Sequence, residues 1–165
     1  GGTIGNLDPA ERVAFLKSVS GLLGPDDRLL IGLDIVKDVP TIEAAYNDSA
    51  GVTAAFNRNM LHFLNRSLSG DFKPEAFDHH CFFNEEESRI EMHLVPRTTQ
   101  IVTLSELDMS VTFTPEDSLW TECSYKFTEA SLTQMLSDSG LTLEHFYTNG
   151  EPDRLFGLAL VGPID

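Results

Sequence analysis

A chain of 165 residues can bury the core of one ordinary domain and is too short for two of typical size. Its formal charge of −15, from 26 acidic against 11 basic residues, repels phosphate backbones and anionic membrane surfaces, so neither nucleic acid nor lipid is an expected partner. Cys81 and Cys123 lie in different segments without a second Cys or a His at ligand spacing. Neither a disulfide framework nor a metal site is therefore expected, and reduced thiols in a cytoplasmic protein are the simpler reading. The apolar runs are too short for a membrane span. The first residues lack the basic and apolar regions of a signal peptide, and Gly1-Gly2-Thr3-Ile4-Gly5-Asn6 reads as the middle of a fold.

Asp8, Pro9 and Glu11 supply an N-cap, a first-turn proline and a capping-box acid. Val13, Leu16, Val19 and Leu23 then recur on one face until Gly24-Pro25, which predicts a helix. Arg28 to Leu33 is a nearly continuous apolar run ending at Asp34, as expected of a strand buried on both faces of a parallel sheet. Helix and strand together make half of a βαβ unit. Ligands of open α/β sheets lie beyond the carboxyl ends of the strands, which puts Asp34 and Lys37 at the expected active edge, although Asp34 equally suits a loop start.

After Pro40 a helix runs through Tyr46. A helix-interior glycine costs about 1 kcal/mol relative to Ala, so Gly51 after Asn47, Asp48 and Ser49 reads as a break between two helices, with polar side chains at the joint that suit either a binding site or a plain turn. The second helix carries Phe56, Met60, Leu61, Leu64 and Leu68 on an expected core face. From Asp78 the period becomes two: Ile90, Met92 and Leu94 alternate with Glu91, His93 and Val95, and Ile101, Val111, Phe113 and Trp120 mark later strands of an expected antiparallel meander. Thr128 and Glu129 open a helix with Leu132 and Leu136, closed by Gly140. Leu141 to Thr148 and Leu155 to Val161 follow as strands around the turn Asn149 to Asp153. The expected segments are 1–39 (helix and strand of a Rossmann-like half), 40–77 (helical substrate segment), 78–127 (antiparallel strands) and 128–165 (helix and strand pair). The fold class is α/β: a parallel strand set ending in a helix and an antiparallel pair resembles the C-terminal half of a Rossmann-like class I methyltransferase with an inserted β-meander.

Among candidate chemical groups, Glu91 and Asp108 have no spacing for shared acid–base work, and Glu85-Glu86-Glu87 reads as a solvated turn. His79, His80 and His93 lack a third ligand and read as satisfied or exposed imidazoles. No nucleophile elbow and no Gly-rich phosphate loop is present. Asn6 in TIGN, the Tyr46-Asn47-Asp48 turn, and Glu122 with Ser124 in TECSYKF remain. Glu122 and Ser124 are two apart in a strand-like segment and so share a face, where a carboxylate and a hydroxyl suit a polar ring or an amine. A salt bridge beside a surface serine is the alternative.

TIGN, LDIVKD, AAYNDSAGVTAAFNRNML with LNRSL, RIEMHL and TECSYKF, in this order and at these intervals, resemble the histidine Nα-methyltransferases of ergothioneine biosynthesis over essentially the whole chain. Related N-methyltransferases act on tryptophan derivatives. The resemblance implies that Asn6 and Tyr46 hold the amine and carboxylate of the amino acid, that Glu122 and Ser124 hold the imidazole, and that Met92 lines the side-chain pocket. It also gives Asn6 and Tyr46 the catalytic task of orienting the amine, with water or Tyr46 accepting its proton. An indole has one N–H donor, whereas imidazole can satisfy both Glu122 and Ser124, which favours histidine.

The implied cofactor is S-adenosylmethionine. In the family an N-terminal half with a glycine-rich loop and a ribose-binding acid does most of its binding; neither is in this sequence, and Gly1 is the only cofactor contact assigned here. Three expectations follow: a substrate-binding portion of such an enzyme, a non-catalytic amino-acid-binding or interaction module of the same fold, or an N-methyltransferase for another amino acid. An incomplete sheet is further expected to expose an apolar edge and to form a homodimer through it.

Overall fold

A computed structural model of the chain describes residues 2–150 and 155–164. It divides into two compact units: Gly1–Asp38, Glu85–Arg89 and Cys123–Asp165 form the first, Val39–Asn84 and Ile90–Glu122 the second.

The first unit opens with a 3-10 turn, Gly2–Asn6, followed by helix α1, Pro9–Ser20. The capping box is formed: Asp8 Oδ1 accepts from Glu11 N (2.8 Å), and Asp8 N donates to Glu11 Oε2 (3.1 Å), satisfying helix-start donors that would otherwise be orphaned. Strand β1, Leu29–Asp34, is next; near the end of the chain come helix α4, Glu129–Ser137, and strands β7, Leu141–Thr148, and β8, Phe156–Pro163. The strand order is β1-β8-β7. Both ladders are antiparallel, with Ile31 opposite Ala159 and Leu143 opposite Val161. The expected parallel sheet around β1 is thus corrected. An isolated bridge of Ile35 with Phe127, outside the named strands, is parallel. The expected burial on both faces is corrected too, since Ile31 and Leu33 are buried but Leu30 is 57% exposed; an apolar run carries no information on strand direction, so the neighbouring strand decides it.

Leu16, Ile31, Leu33, Phe127, Leu132, Leu136, Leu141 and Val161 make the core of this unit. Thr128 caps α4, exchanging hydrogen bonds with Ser131. In the turn after β7, Asn149 Oδ1 accepts from Leu155 N and Phe156 N, while Glu151 to Asp153 lie outside the described residues.

In the second unit, helices α2, Val39–Tyr46, and α3, Val52–Leu68, are separated by the expected break, with Gly51 at φ 72°. That left-handed conformation strains any residue with a Cβ and suits glycine. Asp48 closes the joint: its carboxylate accepts from Val52 N (2.9 Å) and Thr53 N (2.7 Å). Leu61 and Asn57 are the buried residues of α3. Phe56, expected on the core face, is 65% exposed, because the inward arc of α3 passes through Asn57, whose amide donates to His93 O and meets His79 Nδ1.

Strands β2, Phe77–Asn84, β3, Arg89–Pro96, and β6, Leu119–Tyr125, form one sheet in the order β2-β3-β6. Strands β4, Gln100–Leu104, and β5, Met109–Phe113, pair as a separate antiparallel hairpin. The expected single meander is therefore split. Val102 and Leu104 turn inward onto the cluster of Leu61, Phe72, Phe77 and Leu94, which gives the hairpin its own burial and leaves the edge of β3 to β6. Strand propensity marks where strands lie but not which ones pair.

Two hydrogen bonds to one carboxylate hold Asp48 well below the ordinary aspartate value of 3.8, at about 2, chiefly through the Thr53 and Val52 amides. Both folded and unfolded chains carry the charged form above roughly pH 4, so the stabilisation is complete there and is lost as pH falls through about 2. Helical ellipticity should show this loss in acid, and Asp48→Asn should flatten it. An unchanged acid profile in that variant would count against the cap.

Candidate functional site

In the first unit TIGN lies against TECSYKF. A Cβ placed on Gly5 would stand 2.8 Å from Tyr125 O and 3.3 Å from Ser124 Oγ, so only glycine lets the 3-10 turn approach the strand this closely. Asn6, next in the turn, is exposed, and Ser124 is 5% exposed. Ser124 Oγ accepts a hydrogen bond from Lys126 Nζ at 2.8 Å. The same ammonium lies 2.9 Å from Asp34 Oδ2, with its side chain fully buried. Asp34 Oδ1 in turn meets Lys37 Nζ at 2.5 Å, and Lys37 also donates to Leu155 O. Asp34, expected at an active edge or as a loop start, is the counter-ion of two lysines. A buried ammonium without such a partner would be strongly destabilising.

Backbone hydrogen bonds hold these parts in register: Phe127 N donates to Asp34 O, Val36 N to Phe127 O, and Lys126 N to Ser88 O. A cleft of about 340 Å³ lies alongside, lined by Arg12, Ser88, Tyr125, Lys126, Thr128 and Ser131 among others. Arg12 is 8% exposed and stacks 4.2 Å over the Tyr125 ring. Burial lowers its pKa, with Tyr125, Cys123 and Asp8 acting in the opposite direction.

The second unit carries Tyr46, Met92 and Glu122. Tyr46 is half-buried at the end of α2, and its carbonyl meets His79 Nε2 at 2.9 Å. Met92 is buried in β3, where its carbonyl accepts from Thr121 Oγ1. Glu122 is half-buried in β6, and its carbonyl accepts from Trp120 Nε1. Asn6 and Ser124 thus belong to the first unit, and the other three to the second. Gly1 lies outside the described residues. The carboxylate of Asp48, which the sequence suits to either a binding site or a plain turn, accepts from the amides at the start of α3.

Three residues passed over in the sequence reading are prominent in the structure. Lys126 follows Ser124 at the same two-residue period that paired Ser124 with Glu122, so the strand pattern already placed it on that face. Glu91, read as the polar side of an alternating strand, is 6% exposed. It accepts from Asn84 Nδ2 and meets His93 Nε2 at 3.1 Å, while His93 Nδ1 meets Ser118 Oγ at 2.7 Å and its ring stacks between Phe82 and Trp120. Arg12 is the third. Its position on α1 follows from helical spacing, but its aromatic partners come from a distant strand and left no local trace.

The family model for histidine-specific, S-adenosylmethionine-dependent methyltransferases matches residues 1–162. The chain belongs to this family. It is 46% identical over 160 residues to a histidine N-alpha-methyltransferase of Mycolicibacterium smegmatis and 42% identical over 160 residues to one of Mycobacterium tuberculosis; each alignment covers 97% of this chain and 49% of the relative. The chain therefore spans about half the length of the curated relatives it matches. Among solved structures, an S-adenosylmethionine-dependent methyltransferase from Clostridium acetobutylicum is similar at 10% identity with a TM-score of 0.48, over 99% of this chain and 56% of that one. The family is S-adenosylmethionine-dependent. Among the described residues no helix is long and apolar enough to cross a membrane.

Proposed function

We propose that the chain is the substrate-binding portion of an enzyme that methylates the α-amine of histidine, corresponding to the C-terminal half of its longer relatives. The observation that carries this reading is the close approach of Gly5 to Ser124 and Tyr125: two motifs far apart in sequence meet in one family-matched chain. In this reading Asn6 and Tyr46 hold the amine and carboxylate of histidine, Met92 lines the side-chain pocket, and Glu122 and Ser124 bind the imidazole. Residues 40–77 supply the helical substrate segment.

S-adenosylmethionine supplies the activated methyl group, leaving the protein to align a neutral nitrogen with it. An α-amine is largely protonated at neutral pH, so presenting the free base is the task of Asn6 and Tyr46. The residues described here do not fit the cofactor: the acid that ends β1, Asp34, is already paired with Lys37 and Lys126 and offers no ribose-binding carboxylate. Cofactor binding is accordingly assigned to other segments of the longer enzyme, with Gly1 at most an accessory contact.

Calorimetry on the isolated chain tests the division of labour. S-adenosylmethionine should give no heat; cofactor binding to the isolated chain would overturn the assignment, and histidine binding without cofactor would favour a non-catalytic binding module instead. An apolar groove of about 440 Å³ along Phe15, Leu16, Leu29, Leu30 and Ile31, beside the terminal strand β1, supports self-association of two copies in isolation. A clean monomer by light scattering at high concentration would remove that part of the proposal.

A further inference from the structure

Strand β2 holds helix α2 at its last turn. Phe83 N donates to Glu43 Oε1 at 3.0 Å, and His79 Nε2 lies 2.9 Å from the Tyr46 carbonyl, so two residues on one face of α2 are tied to the same strand. Tyr46 ends the helix, where backbone carbonyls lack an intrahelical partner. His79 supplies that partner from outside the helix.

The neighbours of the imidazole fix where its proton sits. A backbone carbonyl can only accept, so Nε2, the nitrogen facing Tyr46 O, carries the hydrogen. Across the ring Nδ1 is 3.0 Å from Asn57 Nδ2; an amide nitrogen can only donate, so Nδ1 is the bare acceptor. The orientation of the Asn57 amide is determined in turn. Its Nδ2 also donates to His93 O at 3.2 Å, and turning the amide over would set its oxygen against that carbonyl. Asn57 itself is 3% exposed. The hydrogen bonds therefore run in one direction, from Asn57 on α3 through His79 on β2 to the end of α2. Beyond Tyr46 the chain is held again, where Asp48 accepts from the first amides of α3.

We propose that His79 is a positioning residue for Tyr46: as the Nε2–H tautomer it fixes the peptide plane from which the Tyr46 side chain departs, and so sets where that tyrosine meets the amine and carboxylate of the substrate. The proposal rests on the reading of Tyr46 as a contact to the amino-acid head, and adds what keeps that contact in place. Moving a substrate-orienting group by about 1 Å can cost about a hundredfold in rate, so one hydrogen bond at the end of α2 carries a kinetic consequence.

The test uses the enzyme at the full length of its relatives and reads kcat and KM for histidine. His79→Gln keeps a donor for Tyr46 O and an acceptor for Asn57 Nδ2, and its kcat/KM should stay within about threefold of wild type. His79→Asn has a shorter amide that keeps only the acceptor for Asn57, and it should lose about tenfold to a hundredfold, as His79→Ala does. Wild-type kinetics in His79→Asn would show that the link to Tyr46 is idle and would overturn the inference; so would a loss in His79→Gln as large as in His79→Ala. In a Tyr46→Phe background His79→Ala should cost less than about twofold more, because His79 acts through Tyr46, and penalties that multiply would refute the positioning role. Unchanged kinetics in Tyr46→Phe alone would instead sink the reading of Tyr46 as a substrate contact, whatever His79 does. Should the alanine and asparagine variants not fold, nitrogen NMR of the isotope-labelled wild-type enzyme at neutral pH decides. The His79 ring, assigned by its absence in His79→Gln, should show a protonated Nε2 and a bare Nδ1, and a proton on Nδ1 would remove the proposal.

Discussion

Replacing Glu122 by Ala in the full-length enzyme is expected to reduce selectivity for histidine by about one to two orders of magnitude, the loss that goes with one charge-assisted hydrogen bond. Glu122 is half-buried on β6, two residues before Ser124, and a carboxylate there can only accept a hydrogen bond when ionised. In the proposed function it takes the imidazole N–H while Ser124 serves the other nitrogen. An indole has an N–H for Glu122 but no acceptor for Ser124, so the pair discriminates more strongly than either residue alone. The measurement is kcat/KM for histidine against tryptophan in wild type and variant. Losing the carboxylate should lower the histidine value and leave the tryptophan value little changed or improved. Unchanged histidine kinetics would sink the assignment of Glu122.

The largest expected effect on stability is at Phe77. Its side chain is fully buried and forms a three-ring cluster with Phe72 and Phe113 at centroid separations of about 6 Å. Arg58 Nε donates to its carbonyl at 2.8 Å, which fixes the start of β2 against α3. Phe77→Ala should destabilise the second unit by about 3–5 kcal/mol, from lost transfer free energy plus a cavity that the surrounding rings only partly fill. Domains of this size are stable by only about 5–15 kcal/mol, so much of the margin would go. Denaturant titration is the measurement, with Phe77→Leu as the milder control. A loss below about 1 kcal/mol for the alanine variant would mean that the ring cluster is not close-packed.

Local signals were strong where the physics is local. The Asp8 capping box, the Thr128 cap and the Gly51 break all depend on groups within a few residues of one another, and each formed where the sequence placed it. The polar joint after Tyr46 was also legible, but its use was not. Asp48 was as suited to a ligand as to a turn, and only the positions of the Val52 and Thr53 amides showed it capping α3. Helical spacing likewise put Phe56 on the inner face, whereas the buried amide of Asn57 set the rotation of α3.

By itself the sequence determined the elements, their caps, the family and the side chains two apart on β6, because these follow from spacing along one chain. Tertiary structure alone decided that β1 runs antiparallel to β8, that the expected meander splits into a sheet and a hairpin, and that Asp34 serves Lys37 and Lys126. The reason is the same in each case. Strand direction, strand neighbours and the partner of a buried charge are set by groups brought together across long stretches of chain, where no periodicity records them. Glu91 and Lys126 sit in strands that read as simple alternation, and it took the packing around them to turn one into the acceptor of His93 and Asn84 and the other into a donor to Ser124.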